Sequence, residues 1–432
     1  MSSTRRQSAN GPLRQERYAS SPEFERGLNG NMVARRCSVI ESAADRELIW
    51  WLHFMSHRAG GLKALVTGLI TDCADRITDR ADYDPSDNTE SCLGEFLQSL
   101  CLNPSIGLES PWYFRELVPA LRELMANWTS ARQRSTVVTS LGKKVYDVLN
   151  YTEHSKTMTL VEGAARTGKS FAAEAWCEQR AGRARIIEVP TGNAERDFFL
   201  ALARGLGLGS FTQYKAGEIR ERVESALLSG DLLLCLDEAH RLWPEVNPRY
   251  GFPKRINWLM SLANKRVPIC MIATPQFIER QKAVEQSGWN SSQFIGRLGY
   301  YEPLPHELSL EDLIAVASSV LPEADAKTKR ALAAYARTSA KYLAAIEAIA
   351  KRASYIATKA SRTTVTAQDV RLAMNESVIP ADSKLVSALA PATRHKPKLK
   401  HESATSFHRA ATEPQLPERN RIDTLLEAAG KE

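Results

Sequence analysis

Residues 159–170, Thr-Leu-Val-Glu-Gly-Ala-Ala-Arg-Thr-Gly-Lys-Ser, constrain this chain more than any other stretch. An apolar run ends at Val161, and Gly163-x-x-x-x-Gly168-Lys169-Ser170 follows. This is the G-x-x-x-x-G-K-[ST] phosphate loop, with a strand pattern before it and a helical pattern, Phe171-Ala-Ala-Glu-Ala-Trp-Cys, after it. Gly163 and Gly168 permit a tight turn, so that successive N–H groups point into one concavity. The residues expected to line it are Gly163, Ala164, Ala165, Arg166, Thr167, Gly168, Lys169, Ser170 and Phe171. The following helix adds its positive N-terminal end. Lys169 is placed to reach the β- and γ-phosphates of a nucleotide, and Ser170 to offer a hydroxyl to Mg²⁺. ATP and Mg²⁺ are the cofactors this pattern calls for.

A length of 432 residues suggests two or three domains. Hydrophobic residues make up 43% and charged residues 25%, the balance of a globular protein that buries a core. The net charge of +7 is compatible with a nucleic-acid partner and equally with a basic surface carrying basic tails. The seven cysteines are scattered, odd in number and without a C-x-x-C pair. That argues against a disulfide framework or zinc site and for a reducing, cytoplasmic setting. His53 and His57 stand at i, i+4, with Cys73 further on, so a metal site there is conceivable but lacks tight ligand pairing. No run of about 18 uncharged apolar residues exists, so no membrane span is expected. The N-terminus lacks the apolar segment of a secretory signal.

Residues 1–40 read as a disordered basic arm, and 41–130 as an α-helical N-terminal domain. In that domain helices are expected from Glu47, over Leu62–Ile77, Leu93–Leu102 and Tyr113–Ala126, with a loop over Asp82–Thr89. No segment presents a clear turn followed by a polar recognition helix. Residues 131–305 read as the nucleotide-binding core. Val137-Val138-Thr139 and the helix Leu141–Leu149 either contact a base or simply pack on the sheet. From Thr157 strand and helix alternate, which implies an α/β fold with a parallel sheet flanked by helices. Its strands are expected at Thr159–Val161, Arg185–Val189, Leu232–Leu236, Val267–Ala273 and Tyr300–Leu304. Asn193 is the expected cap of one helix, and a single polar helix is expected from Pro275 to about Leu298. Residues 306–380 read as an α-helical lid whose helices start at Ser309, Asp325, Lys341 and Thr366. Residues 381–432 read as a mostly disordered tail with a short helix at Ile422–Ala429.

Hydrolysis of a nucleotide needs a metal, an activated water and charge neutralisation. Asp237 follows the apolar run Leu232–Leu236 and is expected at a strand tip, where it can hold Mg²⁺ with Ser170. Glu238 beside it is the candidate general base. Thr274 ends the next strand and either orients the water or caps the strand. Arg297, in Phe294-Ile-Gly-Arg-Leu, either reaches the γ-phosphate of a neighbouring subunit or is a surface arginine.

Across roughly residues 135–375 this constellation resembles the AAA+ ATPases: phosphate loop, Asp-Glu strand, sensor strand, trans arginine and helical lid. It looks most like the initiator-type branch, and within it the transposition ATPases of the phage Mu B kind and the transposon target-selection ATPases. The features carrying that are Asp237-Glu238-Ala239-His240, a strand ending in a small polar residue, Phe294…Arg297 and the lid helix from Tyr342. The resemblance implies a homo-oligomer that binds duplex DNA without sequence preference in an ATP-dependent way and stimulates a transposase. It suggests Arg196, Lys215 and Arg220 as DNA contacts. Two departures stand out. Thr274 replaces the commoner Asn, and Lys341 stands where a lid arginine is expected, which implies slow hydrolysis. The other function class is a nucleotide-switched signalling or defence ATPase that acts on protein partners and not on DNA.

Overall fold

The computed structural model describes residues 23–72, 89–104, 117–211, 213–244, 252–286 and 288–376. The chain divides into two compact units, Met1–Pro305 and His306–Glu432.

The first unit is built on a five-stranded sheet in the order β2-β3-β4-β1-β5, with β1 Met158–Glu162, β2 Ala184–Glu188, β3 Leu233–Asp237, β4 Ile269–Ala273 and β5 Leu298–Pro303. Every strand pair is parallel. The central strands β3 and β4, Leu-Leu-Cys-Leu-Asp and Ile-Cys-Met-Ile-Ala, are near-continuous apolar runs because helices cover both faces. β5 is an edge, and it exposes Tyr300 and Tyr301. Because the strands run parallel, their C-terminal tips share one edge. Register places Glu162 beside Ala273, Met271 beside Leu236, and Glu188 beside Asp237.

Ahead of the sheet come α1 Glu23–Arg26, α2 Gly30–Cys37, α3 Ala43–Arg58, α4 Leu62–Asp72, α5 Thr89–Leu102, α6 Leu117–Ser135 and α7 Ser140–Ser155. Two expectations change here. The basic arm expected over residues 1–40 is helical from Glu23, because Leu28, Val33 and Cys37 are buried apolar side chains. The segment 41–130 is not a separate domain: Trp50, Leu52, Val66 and Leu97 belong to the same core cluster as Leu160, Leu234 and Met271. Polar contacts stitch it in as well. Trp128 Nε1 donates to the Glu178 carbonyl at 3.1 Å, and Arg185 Nη2 to the Trp50 carbonyl at 3.2 Å. Arg185 is sealed in, and burial pushes its guanidinium down to about 10. α6 runs past the expected end at Ala126, to Ser135. The expected loop Asp82–Thr89 is described only at Thr89, and residues 73–88 and 105–116 lie outside the described residues, with part of the expected helices.

Between the strands lie α8 Lys169–Gln179, α9 Glu195–Gly205, α10 Ala216–Gly230, a 3₁₀ turn Ala239–Leu242, α11 Lys254–Asn264, α12 Gln276–Glu285 and α13 Ser292–Ile295. Ala194, not Asn193, occupies the cap position of α9. The expected polar helix from Pro275 is two helices, α12 and α13.

The second unit holds α14 Leu310–Val320, α15 Ala326–Thr338, α16 Tyr342–Lys359 and α17 Ala367–Asn375. Their caps are Ser309, Asp325, Lys341 and Thr366, at the expected starts. Ser309 accepts from the Asp312 N–H at 3.1 Å and Asp325 from the Thr328 N–H at 2.7 Å. Thr366 and Asp369 form a reciprocal capping box. Leu313, Leu332, Ile346, Ile349 and Val370 are buried within this unit. The expected tail 381–432 and its short helix lie outside the described residues.

Candidate nucleotide site

The phosphate loop joins β1 to α8, so it opens at the C-terminal edge of the sheet. Gly168 has φ +90 and caps α8, a backbone that suits glycine. Gly163 is needed for a different reason than turn freedom: a Cβ there would lie 3.0 Å from Leu304 Cβ and 3.3 Å from Lys169 Cδ. The left-handed position inside the loop is taken by Arg166, with φ +66. The loop is tied to the sheet by the Gly163 N–H, which donates to the Ala273 carbonyl at 3.2 Å. Thr167 is buried, and its hydroxyl donates to the Ala164 carbonyl at 3.0 Å.

Lys169 Nζ donates to the carbonyls of Gly163 at 2.8 Å and Ala164 at 2.6 Å, which holds the ammonium within the loop's concavity. Burial pushes its pKa down, and the carboxylates of Asp237 and Glu238 pull it back up. Those carboxylates therefore share its electrostatic surroundings although β4 separates their strand from β1. Asp237 is the last residue of β3, and its Oδ1 accepts from the Glu238 N–H at 2.9 Å. Glu238 is left-handed, with φ 52. Thr274 follows β4, the strand between the other two. Lys169, Ser170, Asp237, Glu238 and Thr274 thus gather at one edge of one sheet. Phe171 is 57% exposed at the mouth of the loop.

Helix α7 packs on α8: Trp176 Nε1 donates to Asn150 Oδ1 at 2.9 Å, and Gln179 Nε2 to the Tyr146 hydroxyl at 3.1 Å. Thr139 caps α7, its hydroxyl oxygen accepting from the Gly142 N–H at 3.0 Å.

Arg297 does not join this group. It precedes β5, at the opposite edge of the sheet, where Nε donates to Asn264 Oδ1 at 3.0 Å and Nη1 to the Gln293 carbonyl at 2.7 Å. About 16 Å of strand separates that edge from its own phosphate loop. The arginines suggested as DNA contacts also have partners within the chain. Arg196 donates to the carbonyls of Tyr214 at 3.4 Å and Phe211 at 3.1 Å, and Arg220 lies 3.8 Å from Glu224. His53 and His57 face the carbonyls of Gly207 at 3.2 Å and Leu28 at 2.9 Å. Burial pushes both histidines down, and among the described residues no group of three or more His, Cys, Asp or Glu is placed to hold a metal. Cys73, the third residue of the metal site considered there, lies outside the described residues.

Two contacts at the site had no reading from the sequence. His240 Nδ1 lies 3.2 Å from Glu238 Oε2, and its place in Asp-Glu-Ala-His was the available signal. The Tyr301 hydroxyl donates to Glu162 Oε2 at 2.7 Å, and burial, followed by this carboxylate, pushes the phenol up to about 12. A tyrosine on a distant edge strand carries no sequence signal of that contact.

The donor set fits a nucleoside triphosphate with a divalent cation: loop N–H groups and an ammonium for phosphate, a hydroxyl and a carboxylate for the metal. Residues 152–281 match the AAA domain family profile. Together with the parallel sheet, the phosphate loop and the helical flanks, this defines a P-loop AAA+ fold. Among solved structures, the Aeropyrum pernix ORC2 protein in ADPNP–ADP complexes is similar at 13% identity and a TM-score of 0.44, over 54% of this chain and 66% of that one. The Thermotoga maritima RuvB Holliday junction branch migration motor is similar at 14% identity and a TM-score of 0.36, over 55% of this chain and 68% of that one. The chain spans about two thirds of the length of these proteins. No curated protein sequence matches it. No helix among the described residues is long and apolar enough to cross a membrane.

Proposed function

We propose that this chain binds and hydrolyses ATP, assembles as an oligomer on duplex DNA, and serves as a target-selection accessory in transposition. The observation that carries the ATPase part is the meeting of Lys169, Asp237, Glu238 and Thr274 at one sheet edge. Lys169 exchanges its loop carbonyls for the β- and γ-phosphate oxygens. Ser170 Oγ and the Asp237 carboxylate would hold a divalent cation, which would neutralise phosphate charge. Glu238 accepts a proton from water as the water oxygen attacks the γ-phosphorus; the bond from phosphorus to the β–γ bridging oxygen breaks and ADP leaves. The Thr274 hydroxyl orients that water. Arg297, too far from its own loop, serves a neighbouring copy, so turnover depends on assembly.

The DNA and transposition parts rest on the net charge of +7 and on the resemblance of the motif set. They are tested by retention of non-specific duplex DNA with and without ATP across a salt series. Retention that needs ATP and weakens with salt is expected; no binding at low salt with ATP removes this part of the reading.

A second reading is favoured by one observation: Arg196 and Arg220 are committed to groups within the chain. In it the same ATPase cycle switches a protein partner. A pull-down that recovers a protein while DNA shifts stay negative supports it.

A further inference from the structure

The hydrolytic scheme leaves one buried side chain at the site unused. His240 sits in the 3₁₀ turn just beyond the tip of β3 and is only 9% exposed. Its Nδ1 lies 3.2 Å from Glu238 Oε2 and 3.5 Å from Thr274 Oγ1. One ring nitrogen therefore faces both the carboxylate at the end of β3 and the hydroxyl beyond β4. The backbone around it is fixed. Glu238 is left-handed, with φ 52 and ψ 38, a conformation that a non-glycine residue keeps only when its surroundings impose it. Here the Glu238 N–H is held by Asp237 Oδ1 at 2.9 Å, and the Glu238 carbonyl accepts from the Arg241 N–H at 2.9 Å. The turn is pinned to α12 by Arg280 Nη1, which donates to the His240 carbonyl at 3.3 Å.

We propose that His240 is a positioning residue of the hydrolytic site: its Nδ1–H holds the Glu238 carboxylate beside the Thr274 hydroxyl, so the imidazole sets the base that addresses the attacking water. This rests on the ATPase reading above. An ionised carboxylate only accepts, so the proton between the two belongs to Nδ1. Burial pushes the ring's pKa down; Arg280 and Arg241 act in the same direction, and Glu238 and Asp237 oppose them. A neutral donor fixes the carboxylate without cancelling its charge, which leaves it able to take a proton from water. An imidazolium in the same place would hold it as an ion pair and weaken it as a base.

The test compares steady-state turnover and ATP affinity for the wild-type chain and for His240→Ala, His240→Asn and His240→Gln. The Asn side chain carries an N–H donor close to the place of Nδ1, and the Gln side chain carries one close to that of Nε2. Single-turnover rates are then read for His240→Ala in a Glu238→Ala background. His240→Ala is expected to lower kcat about tenfold while KM and ATP affinity stay within about twofold, the mark of a group acting on the chemical step. His240→Asn restores most of the rate and His240→Gln does not. Without Glu238, losing His240 has no further effect, because the histidine acts through the carboxylate. The proposal is overturned by a wild-type rate in His240→Ala, by an Asn variant no better than the Gln variant, or by an undiminished loss in the Glu238→Ala background. Should His240→Ala fail to fold, the comparison of Asn with Gln decides alone. A wild-type chain that hydrolyses no ATP overturns the ATPase reading and this inference with it. Wild-type hydrolysis with unaffected variants overturns the inference alone.

Discussion

Lys169 is 7% exposed and spends its ammonium on two carbonyls of its own loop. Truncating it removes the one cation buried in the concavity. Lys169→Ala should therefore abolish ATP binding, read by equilibrium titration with a fluorescent ATP analogue; retained affinity would mean the loop is not the phosphate site. Glu238→Gln keeps the shape but cannot take a proton. It should bind ATP as the wild type does and lose roughly a hundredfold or more in turnover, the range of general-base catalysis. Equal turnover would remove Glu238 from that role. These side chains were legible because a phosphate loop and an Asp-Glu tip have fixed residue spacing. Arg166 was not: nothing in its identity says that a non-glycine residue takes the left-handed position between two glycines.

At the scale of elements, all five strands were readable, since buried parallel strands are runs such as Leu-Leu-Cys-Leu and Ile-Cys-Met-Ile. The lid starts were readable because Ser309, Asp325 and Thr366 cap by short-range hydrogen bonds that depend only on neighbours in sequence. Asn193 failed as a cap for the complementary reason: an N-cap's side chain has many alternatives, and the turn before α9 places Ala194 there. The capping box of α17 also makes a pH prediction. Arg362 donates to both Asp369 oxygens at 2.7 Å, and this pair, together with the Thr366 N–H and hydroxyl, holds the carboxyl well below the usual carboxylate range. A depressed folded value contributes stability above the unfolded one, about 3.9 for Asp, and loses it as pH falls from there toward the folded value. Amide exchange in α17 should accelerate in that acid window in the wild type, and show a weaker pH dependence in Asp369→Asn. Matching profiles would remove the carboxylate from this account.

For the whole molecule, the expected separation of an N-terminal domain from an ATPase core does not hold. Amphipathic helices announce an apolar face, not what covers it, and here the sheet-flanking helices do. Leu28, Leu48, Ile49, Leu52, Leu62 and Val66 are each within 1% of full burial in the cluster that also holds Leu160 and Leu234. At about 1.5–3 kcal/mol for each such side chain, stripping that layer removes an amount comparable to the whole stability of about 5–15 kcal/mol that a domain has to lose. A chain lacking residues 1–130 should therefore aggregate or expose hydrophobic surface to a dye such as ANS. A soluble truncation with native helicity and ATP affinity would restore the independent domain.

The same burial seals the thiols. Cys177 on α8, Cys235 on β3 and Cys270 on β4 are buried free cysteines, and hydrogen bonds among them followed by burial push the Cys235 thiol well up. Alkylation at these three positions, followed by peptide mass spectrometry, is thus a native clock for how often the central sheet comes apart. Nucleotide that grips the loop at the head of α8 should slow that clock, and a maleimide reaction as fast with ATP as without it would show that the ligand leaves the sheet's breathing untouched.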